Sequence, residues 1–219
     1  MQAWRGKCNA LELLHGSSSS SFAELLVYCY NLEEDAGKIL KARELIRKGC
    51  EECPMNEDVW IEACRLVNPD EAKGVIARGV KAIPDSVQLW IQAARLEHGT
   101  ANKSRVLRMG LVKIPDSVRL WKALVELAAN EDDAKLLLQR AVECCPLHVE
   151  LWLALARLEK YDRARKLLNK ARKKLPKERA IWIVVAKLEE AFGNTFTVGK
   201  IIERGIGALQ REGYPVNFK

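Results

Sequence analysis

Histidine is scarce in these 219 residues: His15, His98 and His148 are all there is, far apart and in unrelated contexts. That leaves no converging acid, base or nucleophile set, and no enzyme is expected. Gly199 to Gly213 is glycine-rich but lacks the Gly-Lys-Ser/Thr ending and the preceding strand of a phosphate-binding loop. No apolar run approaches the roughly 18 residues needed to span a bilayer, so no membrane contact is expected. Met1 to Leu14 carries Arg5, Lys7 and Glu12 without a continuous apolar core, which reads as no secretory signal. The seven cysteines are Cys8, Cys29, Cys50, Cys53, Cys64, Cys144 and Cys145, an odd number without the framework of a small secreted fold. They point to a reducing compartment. Cys50 and Cys53 form a lone Cys-x-x-Cys with no second pair to complete a zinc site, so small-hydrophobe packing is expected of them, and likewise of Cys144 and Cys145. No metal, cofactor or small-molecule substrate is implied.

What the chain does have is a period. Trp60, Trp90, Trp121, Trp152 and Trp182 lie 30 or 31 residues apart, and Pro54, Pro84, Pro115, Pro146 and Pro176 each precede one of them by six. A period of about 20 to 50 residues marks a solenoid, whose units bury their apolar faces only by stacking. Apolar residues at 48% and charged residues at 30% suit short amphipathic helices. A binding scaffold is the first expectation.

Aligned on their prolines, the repeats run from Ala42 to Leu66, Ala72 to Leu96, Lys103 to Leu127, Ala134 to Leu158 and Ala164 to Leu188. Apolar pairs recur nine and eight residues before proline, from Leu45 and Ile46 in the first unit to Leu167 and Leu168 in the fifth. They mark the buried stripe of a first helix. Five residues before proline the side chain is always small: Gly49, Gly79, Gly110, Ala141 and Ala171. Glycine costs a helix about 1 kcal/mol relative to alanine, so this column predicts close approach of a neighbouring helix. Proline then ends the helix. Asn56, Ser86 and Ser117 stand ready to cap a second helix carrying the tryptophan, whereas His148 and Glu178 occupy that position in the last two units. Trp and the residues three, four and six later share a helical face, which reads as an inter-helix wedge. The predicted fold is all-α: an α-solenoid, or superhelix, of stacked antiparallel helix pairs in repeats of 30 to 31 residues.

These units resemble half-a-TPR repeats, relatives of the tetratricopeptide repeat. More specifically, the strings Val118-Arg119-Leu120-Trp121-Lys122-Ala123, Arg140-Ala141-Val142-Glu143-Cys144-Cys145-Pro146, Glu150-Leu151-Trp152-Leu153-Ala154-Leu155-Ala156-Arg157-Leu158-Glu159 and Leu168-Asn169-Lys170-Ala171-Arg172 are similar to the pre-mRNA-processing factor six family of the spliceosomal tri-snRNP. The resemblance runs from about Asn31 to about Gly213. It implies a nuclear, non-catalytic scaffold whose partners are spliceosomal snRNP proteins, with RNA contact secondary.

Two departures accompany it. Leu32-Glu33-Glu34 and Gly37-Lys38 match Leu188-Glu189-Glu190 and Gly193-Asn194, yet Leu26 stands where tryptophan is expected. Residues 1–30 do not resemble the family: Ser17 to Ser21 reads as a linker, and Phe22 to Tyr30 as an improvised capping helix. The domain expectation is therefore a non-repeat segment over 1–30 and a repeat array over 31–219, truncated at both ends, with Val198 to Leu209 a further first-type helix.

The alternative is direct RNA binding in another RNA-processing complex, such as mRNA 3′-end or rRNA processing. A net charge of +7 permits it. Basic and acidic residues read as interleaved, however, and Arg65, Arg95, Arg157 and Lys187, recurring five residues after Trp beside Glu97, Glu159 and Glu189, read as a structural charge ladder interrupted by Glu126.

Overall fold

The structure, a computed structural model, describes residues 28, 31, 33–35 and 37–210. The serine linker, Leu26 and, Tyr28 apart, the capping segment inferred over Phe22 to Tyr30 lie outside the described residues, as do Cys8, Cys29 and residues 211–219.

First-type helices are α1 (Ile39–Glu52), α3 (Pro69–Ala82), α5 (Thr100–Lys113), α7 (Glu131–Cys144) and α9 (Tyr161–Lys174), each of 14 residues. The tryptophan helices α2 (Glu57–Leu66), α4 (Val87–Leu96), α6 (Val118–Glu126), α8 (Val149–Leu158) and α10 (Arg179–Ala191) alternate with them, and α11 (Thr195–Gln210) follows. The architecture is an all-α repeat of stacked antiparallel helix pairs.

Helix packing divides the chain into two compact units that meet in sequence at Ile114 and Pro115, inside the third repeat. In the first unit each helix from α1 to α5 packs on the next, and α2 also touches α4. In the second, α6 through α11 do the same, and α8 also touches α10. Tryptophan helices therefore stack on one another behind the first-type helices. The second residue of every apolar pair is buried: Ile46, Ile76, Leu107, Leu138 and Leu168 are all 3% exposed or less.

Local chemistry sets the helix ends. Asn56 Oδ1 accepts the amides of Asp58 and Val59 at 3.0 and 3.3 Å, and the Ser86 and Ser117 hydroxyls accept those of Leu89 and Leu120 at 3.2 and 3.4 Å. His148 and Glu178 make no side-chain cap. The sequence match between the segments at Gly37 and Gly193 is also structural. Both glycines have positive φ, 74° and 76°, and in both places the residue after glycine donates its amide back to the first glutamate's carbonyl. Only a residue without Cβ takes that left-handed conformation freely.

Candidate interaction surfaces

The tryptophan node decides which faces are left for partners. The residue before each proline is the last to close a helical bond, donating its amide at 2.8 Å to the small residue four back: Gly49, Gly79, Gly110, Ala141 or Ala171. Its ψ lies between 57° and 78°, off the helical region, as the proline ring requires. The proline carbonyl is thereby turned away from the helix and accepts the indole N–H of the tryptophan six residues later. Trp60, Trp90, Trp121, Trp152 and Trp182 donate to Pro54, Pro84, Pro115, Pro146 and Pro176 at 2.8 to 3.0 Å. A buried indole N–H needs an acceptor, and the six-residue offset supplies one.

The rings then press on the next first-type helix. A Cβ built on Gly79 would stand 3.0 Å from Trp60 Cγ, and one on Gly110 would stand 2.9 Å from Trp90 Cγ. Gly49 is buried, and Ala141 and Ala171 are 0% exposed. Gly205 in α11, which the repeat alignment passes over, holds the same place under Trp182, with 3.1 Å to Cδ2. Its offset from tryptophan is 23 residues instead of 19 or 20, because α10 runs about one turn longer than the other tryptophan helices.

The ion pairs are not the ladder read from the Trp-plus-five column. Arg95, Arg157 and Lys187 make no ion pair among the described residues, whereas Arg65 reaches Glu34 at 2.5 Å and Glu62 at 2.8 Å. The acids instead face the opening turns of first-type helices. Lys73 meets Glu97 at 3.4 Å and Arg165 meets Glu189 at 2.7 Å, both pairs spanning 24 residues. Where Val67 replaces the acid, Arg43 donates to the Leu66 carbonyl at 2.7 Å. These are latches holding the two helices of a repeat together.

Glu189 is the most enclosed acid among the described residues, 1% exposed. Burial alone would raise its pKa, but Tyr161, Asn194 and Thr197 donate hydrogen bonds to Oε2 and Arg165 adds its charge, so the carboxyl is held below its ordinary value. Burial, reinforced by Glu189, pushes the Tyr161 hydroxyl up.

Cys50, Cys53 and Cys145 are buried. Burial pushes the Cys50 and Cys145 thiols up to about 11, so both stay protonated and unreactive at neutral pH. Cys144 departs from the packing expectation. It is exposed, because neighbouring residues on a helix point about 100° apart and Cys145 takes the inward direction. No group of three or more metal-ligating side chains occurs among the described residues.

Two surfaces stand out among the described residues. In the first unit a groove of about 750 Å³ is floored by Ile46, Trp60, Ala63 and Val75 and rimmed by charges of both signs, Arg47 and Arg78 beside Glu51 and Glu71. In the second unit the charge is one-sided. Lys160 to Arg179, which is α9 and its flanks, holds ten basic and two acidic residues, so the rest of the chain carries a net charge of −1 against +7 for the whole. The net positive charge is thus concentrated in α9 and its flanks, while elsewhere basic and acidic residues are interleaved in nearly equal number. Scanning columns across repeats hides that concentration, which shows only when the sequence is read along α9.

No family model matches the chain. Protein STABILIZED1 of Arabidopsis thaliana is 68% identical over 76 residues, covering 35% of this chain and 7% of that protein. Pre-mRNA-splicing factor 6 of Saccharomyces cerevisiae is 40% identical over 188 residues, covering 84% of this chain and 21% of that protein. The crystal structure of a tetratricopeptide repeat protein from Parabacteroides merdae superposes with a TM-score of 0.44 at 17% identity, covering 85% of this chain and 79% of that one. Over most of its length the chain is homologous to pre-mRNA splicing factors, and it spans about a fifth of the yeast protein's length.

Proposed function

We propose that the chain is a protein-binding segment of a nuclear scaffold in pre-mRNA splicing, one that bridges protein components of the tri-snRNP. The observation that carries this reading is the 188-residue alignment at 40% identity with a splicing factor, which covers 84% of the chain. The architecture agrees with it. Stacked helix pairs spend their aromatic residues on the nodes between repeats and leave long helix faces for partners. The groove in the first unit suits a protein segment, with an apolar floor to bury side chains and a mixed-sign rim to fix orientation. No helix among the described residues is long and apolar enough to cross a membrane.

Sedimentation of the tagged chain through a gradient of nuclear extract tests this, with small nuclear RNAs and proteins probed in each fraction. Co-sedimentation with U4, U5 and U6 particles is expected. A chain found only in the lightest fractions, while those particles are intact, contradicts the reading.

A further inference from the structure

We propose that α9 carries a second binding activity: a sequence-independent grip on the phosphate backbone of an RNA strand, made by Lys166, Lys170, Lys173 and Lys174. At 100° per residue the four project from one side of the helix, turned away from the buried Ala164, Leu168 and Ala171. All four are exposed, and none makes an ion pair among the described residues. The other cations of the helix are engaged. Arg163 stands 4.0 Å from Glu159, Arg165 is latched to Glu189, and Arg172 lies 4.7 Å from the centre of the Trp182 ring.

Helix stability does not account for the row. Lys173 and Lys174 sit in the last turn, where positive charge complements the helix dipole, but Lys166 and Lys170 do not. Lys166 with Lys170, and Lys170 with Lys174, are like-charge pairs four residues apart, a spacing that weakens a helix unless an anion neutralises it. Asp162 and Glu178, the acids of this stretch, stand at its two ends.

Among polyanions the row fits a nucleic-acid backbone better than an acidic protein face. Protein interfaces have cores rich in aromatic residues, methionine and arginine and poor in lysine. No large exposed apolar side chain lies on α9; those flanking it in sequence are Leu147 and Ile183. A phosphate backbone needs only cations along its path, and these recur at about 5 Å for each helical turn. The choice of RNA over DNA rests on the splicing reading above, whereas the phosphate grip itself does not.

The test is fluorescence polarisation of the whole chain with a labelled oligo(U) of about 20 nucleotides, longer than a compact single-strand site, across a salt series. Replacing the four lysines with glutamine is expected to weaken binding at least tenfold. It should also lower the slope of log affinity against log salt by about three, at roughly 0.7 for each phosphate no longer neutralised. A control carrying Lys41→Gln, Lys48→Gln, Lys81→Gln and Lys113→Gln removes the same charge and should leave that slope nearly unchanged. Circular dichroism of both variants should match the parent, since every substituted side chain is exposed. Equal weakening by the two variants would mean bulk charge and overturn the site, as would absence of binding at low salt. Polyglutamate competing as well as RNA at equal charge would assign the row to an acidic protein instead. Oligo(dT) should bind with similar affinity, since the row contacts phosphate alone, and a loss of tenfold or more with oligo(dT) would overturn a grip confined to the backbone phosphates.

Discussion

The two units solve one packing problem with different side chains. In the unit ending at Ile114, tryptophan rings lie against glycine, and a Cβ at Gly79 or Gly110 would come within 3.0 Å of the indole. In the unit beginning at Pro115, the same column is alanine at positions 141 and 171, both 0% exposed, with Trp121 and Trp152 still 7% and 2% exposed. A small residue is thus the requirement of the column, while glycine is the requirement of particular nodes. Gly205, under the half-exposed Trp182, returns to glycine at 3.1 Å.

The largest expected effect is loss of a ring. Trp152→Ala should cost about 3 to 5 kcal/mol, and hydrogen exchange should register it first in α8, α9 and α10. Trp182→Ala should cost distinctly less, because that ring is only half buried. Equal losses would mean that burial does not rank the nodes.

The sharper test exchanges the small residues. Gly110→Ala gains about 1 kcal/mol of helix propensity, yet it must displace the Trp90 ring at 2.9 Å, an overpacking cost of about 1 to 3 kcal/mol. A lower Tm is expected, with a smaller change for Gly79→Ala. Ala141→Gly should lose about 1 kcal/mol of helix propensity and about 0.8 kcal/mol more with the buried methyl group. A higher Tm for Gly110→Ala would erase the difference between the units.

Trp121→Phe keeps the wedge and deletes the indole donor to the Pro115 carbonyl, so chemical denaturation should register a loss of about 0.5 to 1.5 kcal/mol. The smallest effect is the pH dependence from Glu189. Its folded pKa is depressed, so its contribution is present above the ordinary value of 4.5 and is lost as pH falls through the lower folded value. Glu189→Gln should therefore melt closer to the parent in that acidic window than at pH 7.

Much of the fold is legible in the sequence because it is periodic. One interval locates the helix pairs, the proline breaks and the three polar caps, and the Leu-Glu-Glu and glycine strings pair two distant helix ends. What is not legible involves geometry that crosses the columns. Gly205 escapes because a longer α10 shifts its offset. The latches escape because Lys73 and Glu97, or Arg165 and Glu189, belong to different columns that meet only when the pair of helices closes. Cys144 escapes because at the end of α7 it is Cys145, one residue on, that turns into the core. The lysine row escapes because it runs along one helix instead of recurring across five.

The most direct test of the scaffold reading is affinity capture of the tagged chain from nuclear extract, with and without RNase, beside the Trp152→Ala variant. The expected result is a set of splicing proteins that survives RNase on the parent chain and is lost on the variant, whose stack is broken. Splicing proteins that vanish on RNase treatment of the parent chain would contradict it, placing recognition in the RNA instead of in the helix faces.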